Sequence, residues 1–142
     1  MSREIMIVED DQSFHDLYTE LLEDTDYKIT CAYDGDEAME KLEEGKPDLI
    51  VLDMLLDLMA GDTFFHLIRN IPEYADIPVI VVSGYPEQAY AILKDTDPSL
   101  TFLNKTEVSE KLIEEINSKI GYKVIIKPAI FRIIQTIFLT TK

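Results

Sequence analysis

Apolar residues fall along this chain in two alternating patterns: short dense runs, and longer stretches in which they recur every third or fourth position. The dense runs predict strands at Glu4–Val8, Lys28–Ala32, Asp48–Leu52, Pro78–Val82 and Leu100–Leu103. The run at Asp48–Leu52 is almost wholly apolar, as expected for a central strand covered on both faces. The spaced stretches predict helices at Ser13–Glu23, Asp36–Glu44, Thr63–Ile71, Pro86–Lys94 and Val108–Ile120. Ser13 is read as the N-cap of the first helix, with Gly45 and Gly121 closing the second and fifth. Strands that alternate with helices imply a parallel sheet covered on both faces, with right-handed crossovers.

Length and composition narrow the class. A chain of 142 residues is long enough for one domain with a substantial core. No stretch reads as a signal peptide, and no apolar run approaches the ~20 residues of a membrane-spanning helix. With Cys31 the only cysteine, no internal disulfide is possible, and the expected compartment is the cytoplasm. The net charge of −15 is unevenly spread. Residues 1–121 carry all 28 acids and nine of the thirteen Lys and Arg, giving −19, whereas residues 122–142 carry four bases and no acid, giving +4. A body this acidic argues against direct nucleic-acid binding, which depends on neutralising phosphates. The break divides the chain into a domain at 1–121 and a basic, apolar tail at 122–142.

The candidate chemistry sits at strand ends. In an open parallel sheet the ligand crevice lies outside the carboxyl ends of the strands. There Glu9, Asp10 and Asp11 follow strand one, Asp53 follows strand three, Ser83 strand four and Lys105 strand five. Clustered carboxylates repel one another unless a cation sits among them, and hard oxygen ligands suit Mg²⁺. Asp53 has the chemistry of a nucleophile toward a phosphoryl group. Mg²⁺ and Lys105 would neutralise the transferring oxygens, and Ser83 would donate to the attached group.

The segments IMIVEDD, DLIVLDMLLDLMAGD, IPVIVVSGY and LTFLNKTEV, spread over roughly residues 4–120, resemble the signature blocks of the response-regulator receiver family. The resemblance implies a flavodoxin-like α/β fold, a five-stranded parallel sheet of order 2-1-3-4-5. It implies Asp53 as phosphoacceptor, Asp10 as a direct Mg²⁺ ligand, Glu9 as a ligand through water, and the Leu55 backbone carbonyl completing the metal site. Ser83 becomes the switch hydroxyl, Lys105 the phosphate-binding lysine, Phe102 the switch aromatic, and Gly61 the glycine ending the loop after strand three. The implied partners are a histidine kinase or phosphotransfer protein as donor and a downstream protein as target, engaged through helix four, strand five and helix five. The implied chemistry is Mg²⁺-dependent self-phosphotransfer and autodephosphorylation, without stand-alone enzymatic turnover.

Two positions depart from the family. Asp57 stands where a proline is usual, and Thr106 follows Lys105 where a proline with a cis bond is usual. A cis bond before Thr106 would cost ~3 kcal/mol, so a trans bond is expected, which leaves the aim of Lys105 open. That departure supports an alternative, a phosphorylation-independent interaction module. A phosphohydrolase is a second alternative, although such enzymes commonly carry a second Asp where Leu55 stands. His15 and His66 are expected at the surface, and Cys31 as a small buried residue of strand two. In the tail, Ile130, Ile133, Ile134, Ile137 and Phe138 share one helical face, preceded by Pro128 and an extended lead-in from Lys123 to Lys127. A helix this short needs its apolar face covered. A basic tail and an acidic body favour protein over membrane contact, and a tail-mediated homodimer is the expected result.

Overall fold

The computed structural model describes residues 2–55 and 60–121, together with Ile137. The apolar runs form five strands: β1 (Glu4–Val8), β2 (Lys28–Ala32), β3 (Leu49–Asp53), β4 (Val79–Ser83) and β5 (Thr101–Asn104). The helices are α1 (Gln12–Leu22), α2 (Gly35–Glu44), α3 (Gly61–Arg69), α4 (Pro86–Leu93) and α5 (Val108–Ile120), the last entered through a short 3₁₀ turn at Lys105–Glu107. All strand pairs are parallel, in the order β2-β1-β3-β4-β5.

Alternation along the strands sorts side chains between two cores. Ile5, Ile7, Val51, Ile80 and Val82 pack with Tyr18 and Leu22 of α1 and with Leu112 and Ile116 of α5. Met6, Val8, Ile50, Leu52, Val79 and Val81 point to the other face, against residues of α2, α3 and α4 such as Leu42, Phe64 and Leu93. Each fully buried side chain of this size contributes about 1.5–3 kcal/mol, so both faces hold the sheet.

The expected boundaries shift by one or two residues. β3 and β4 run one residue further than their apolar runs, because ladder pairing continues through Asp53 opposite Val82 and Ser83 opposite Asn104. At α1 the N-cap is Asp11, not Ser13. The Asp11 carboxylate accepts from the Ser13 backbone N–H at 2.8 Å and from its hydroxyl at 2.6 Å. Cys31 lies on β2 as expected but is only half-buried. Gly45 and Gly121 do follow α2 and α5, without the left-handed backbone that glycine caps commonly adopt. Apart from Ile137, the expected tail helix and its lead-in lie outside the described residues, as does Asp57. Among the described residues no helix is long and apolar enough to cross a membrane.

Candidate functional site

Parallel pairing brings the carboxyl ends of β1, β3, β4 and β5 to one edge of the sheet, and with them Glu9, Asp10, Asp53, Ser83 and Lys105. Glu9, Asp10 and Asp53 each offer an oxygen within 4.8 Å of the others. Lys105 closes the cluster from β5, its Nζ 3.2 Å from Asp53 Oδ2 and 3.4 Å from Glu9 Oε1. The other Asp53 oxygen accepts from the Leu55 backbone N–H at 3.1 Å. Leu55 thus stands beside the carboxylate with its side chain exposed.

The electrostatics follow from burial. Glu9 is 1% exposed, and burial together with the neighbouring Asp53 pushes its pKa up to about 8, against the pull of Lys105. Burial works against the Lys105 charge, but Asp53 and Glu9 outweigh it and raise its pKa above the usual lysine value. Two of the three acidic side chains, Glu9 and Asp53, thus share one ammonium. Glu9 Oε2 is left buried with no hydrogen-bond partner. An orphaned carboxylate oxygen within an acidic triad is a donor set of hard oxygens, which fits a small divalent cation.

Ser83 is 5% exposed, and its Oγ accepts from the Tyr85 backbone N–H at 3.0 Å, which leaves the hydroxyl proton to donate. A cleft of about 220 Å³ opens beside it, lined by Met54, Leu55, Ala60, Tyr85, Ala89 and Ile92 among others. Phe102 is half-buried against the core, its ring edge-on to Tyr90 of α4 at 5.6 Å. That is a packing position that also touches an exposed ring, since Tyr90 is 54% exposed. Gly61 starts α3 so close under β3 that a Cβ would lie 2.4 Å from the Asp53 carbonyl oxygen.

Three residues at the site, His15, Phe14 and Asn104, were not identified from the sequence. His15 is not at the surface: it is 1% exposed, and its Nε2 lies 2.6 Å from the Glu9 carbonyl oxygen. That oxygen can only accept, so Nε2 carries the proton, and the ring ties α1 to the acidic loop while packing 4.3 Å from the Tyr33 ring. His66, also expected outside, is half-buried on α3. Phe14 places its ring 4.3 Å from Lys105 Nζ. Asn104 caps the turn after β5, its Oδ1 accepting at 3.0 Å from both the backbone N–H and the hydroxyl of Thr106. No peptide bond among the described residues is cis, so the bond before Thr106 is trans, as expected. Lys105 nonetheless reaches Asp53. An Asn two residues before a Thr is a turn signal visible in the sequence; nothing in the sequence places Phe14 or His15.

Comparison with known proteins bears on this arrangement. A family model of the response regulator receiver domain matches residues 5–117. The sensor histidine kinase TmoS of Ectopseudomonas mendocina is 29% identical over 120 residues, 84% of this chain, although the chain spans only 12% of that protein's length. Among solved structures, the receiver domain of the sensor histidine kinase PA1611 from Pseudomonas aeruginosa PAO1, with magnesium coordinated in its active-site cleft, superposes with a TM-score of 0.75 at 22% identity. That match covers 86% of this chain and 100% of the other. The chemotaxis protein CheY4 of Vibrio cholerae superposes with a TM-score of 0.74 at 24% identity, covering 84% and 100%. With its five-stranded parallel order and a family match spanning both cores, the chain belongs to the response regulator receiver domain family.

Proposed function

We propose that this chain is a phosphorylation-driven signalling switch that accepts a phosphoryl group on Asp53 from a histidine kinase or phosphotransfer protein in the cytoplasm. The supporting observation is Lys105 Nζ at 3.2 Å from a buried Asp53 carboxylate that is 2% exposed. An Asp53 oxygen bonds to phosphorus as the donor's P–N bond breaks, and the departing imidazole keeps the electron pair and takes up a proton. Lys105 moves its hydrogen bond from the carboxylate to a phosphoryl oxygen, and the Ser83 hydroxyl donates to another. Glu9, Asp10, Asp53 and the Leu55 carbonyl would hold Mg²⁺, which supplies charge neutralisation on the transferring oxygens.

The family is a signalling module and not a conventional enzyme. A second acid, which the phosphohydrolase reading needs, is replaced by Leu55. The interaction-module reading drew on the missing proline, and the reach of Lys105 removes that support. Output would pass through Ser83 and Phe102 to Tyr90 and the face of α4, β5 and α5, where a downstream protein binds. The domain division at Gly121 and a tail-mediated homodimer complete the proposal.

The test is labelling with acetyl phosphate and Mg²⁺, followed by intact mass. Wild type should gain one phosphoryl group and Asp53→Asn none. An unlabelled wild type, or equal labelling of the variant, would overturn the proposal.

A further inference from the structure

The Lys105 ammonium touches two carboxylates and one aromatic ring. Asp53 and Glu9 oxygens lie 3.2 and 3.4 Å from Nζ, and the centroid of Phe14 lies 4.3 Å away. We infer that Phe14 is the positioning residue that aims Lys105 at Asp53. The inference rests on the Asp53 reading above and adds a residue to it.

A lysine stem has four rotatable bonds, and its ammonium is strongly hydrated, so two carboxylates alone fix a direction of pull and not a place. The Lys105 side chain is 23% exposed, enough for water to compete for the ammonium. The face of an aromatic ring carries partial negative charge and attracts a cation within about 6 Å of its centroid. The Phe14 ring thereby covers a side of the ammonium that the carboxylates leave uncovered, and it does so without adding a charge. It is held in place as the third residue of α1, whose first turn is capped by Asp11 and whose core side packs Phe14 6.3 Å from Tyr18. The start of the stem is set separately. Asn104 builds the turn through Thr106, so the chain enters the 3₁₀ segment at Lys105 with every described peptide bond trans. A turn at the base and a ring at the tip together do what neither does alone. Phe14 also follows Glu9 and Asp10 closely in sequence, so the single junction from β1 into α1 carries both acids and the ring that orients their counter-charge.

The experiment uses the full chain in four forms: wild type, Phe14→Leu, Phe14→Tyr and Lys105→Met, with the Phe14→Leu/Lys105→Met double variant added. Initial rates of labelling by acetyl phosphate with Mg²⁺ are measured beside melting curves. Phe14→Leu should label about tenfold more slowly, within the range of a partly desolvated cation–ring contact, and Phe14→Tyr should restore the rate to within about twofold. In the Lys105→Met background the Phe14→Leu change should have no further effect, because the two side chains act as one unit. Equal rates for wild type and Phe14→Leu, or an undiminished effect without Lys105, would overturn the inference. A second readout is independent of labelling: the ring should shift the Lys105 Hε proton resonances upfield in wild type, and Phe14→Leu should abolish the shift. Unshifted resonances in wild type would also overturn it. A wild type that takes no label but shows the shift would sink the Asp53 reading alone and leave Phe14 as the residue that aims Lys105.

Discussion

Glu9 has one carboxylate oxygen on Lys105 and another buried with no partner, and its pKa stands at about 8 against an ordinary value of 4.5. Between those values the folded chain holds a proton that the unfolded chain has released. Stability of the metal-free protein is therefore greatest below the unfolded value and is lost as pH rises through the folded one. The melting temperature without metal should fall between about pH 5 and about pH 8, and Glu9→Gln should flatten that fall. Mg²⁺ prefers the ionised carboxylate, so its stabilising effect should grow over the same range. Melting curves that do not respond to pH in wild type, or respond equally in Glu9→Gln, would contradict this. Glu9, Asp10, Asp53, Ser83 and Lys105 were legible in the sequence because each follows an apolar run, and a parallel sheet aligns the ends of such runs. His15 and Phe14 were not, because an aromatic on a helix reads as core or surface until its neighbour from another strand is known. Phe14 meets Lys105 across 91 positions, and spacing within a helix carries no trace of that.

Among the elements, α3 starts directly under the end of β3, where Gly61 leaves no room for a side chain. The Gly61 N–H donates to the Met54 carbonyl at 3.1 Å, and an added Cβ would lie 2.6 Å from Met54 Cα. Backbone atoms cannot yield as a flexible side chain would. Gly61→Ala should cost about 1–3 kcal/mol in urea unfolding, the usual size of overpacking, and should slow Asp53 labelling by displacing the strand end. Unchanged stability would mean that α3 shifts freely. The five strands and five α-helices of the described residues were legible in type, because periodicity distinguishes an alternating or dense run from a helical face. Boundaries were less so. β3 and β4 extend onto Asp53 and Ser83 because ladder bonds do not require apolar side chains. α1 starts at Gln12 because Asp11 takes the cap, while the acid before it turns to the site.

At the scale of the whole molecule, an acidic body of net charge −19 is joined to a tail of +4. Light scattering on the full chain should give a dimer, and a chain stopped at Gly121, which retains both cores, should give a monomer. Two monomers would end the dimer proposal. The site itself is a product of the complete sheet: Lys105 lies 52 positions beyond Asp53, directly after β5, a strand paired only with β4. A ribosome making roughly 5–20 residues per second therefore delivers the three carboxylates roughly 3–10 s before their ammonium. During that interval no part of the chain yet made supplies the ammonium that later reaches Asp53 and Glu9. The order of synthesis thus makes the fifth strand the step at which a nascent chain's site acquires its own balance of charge.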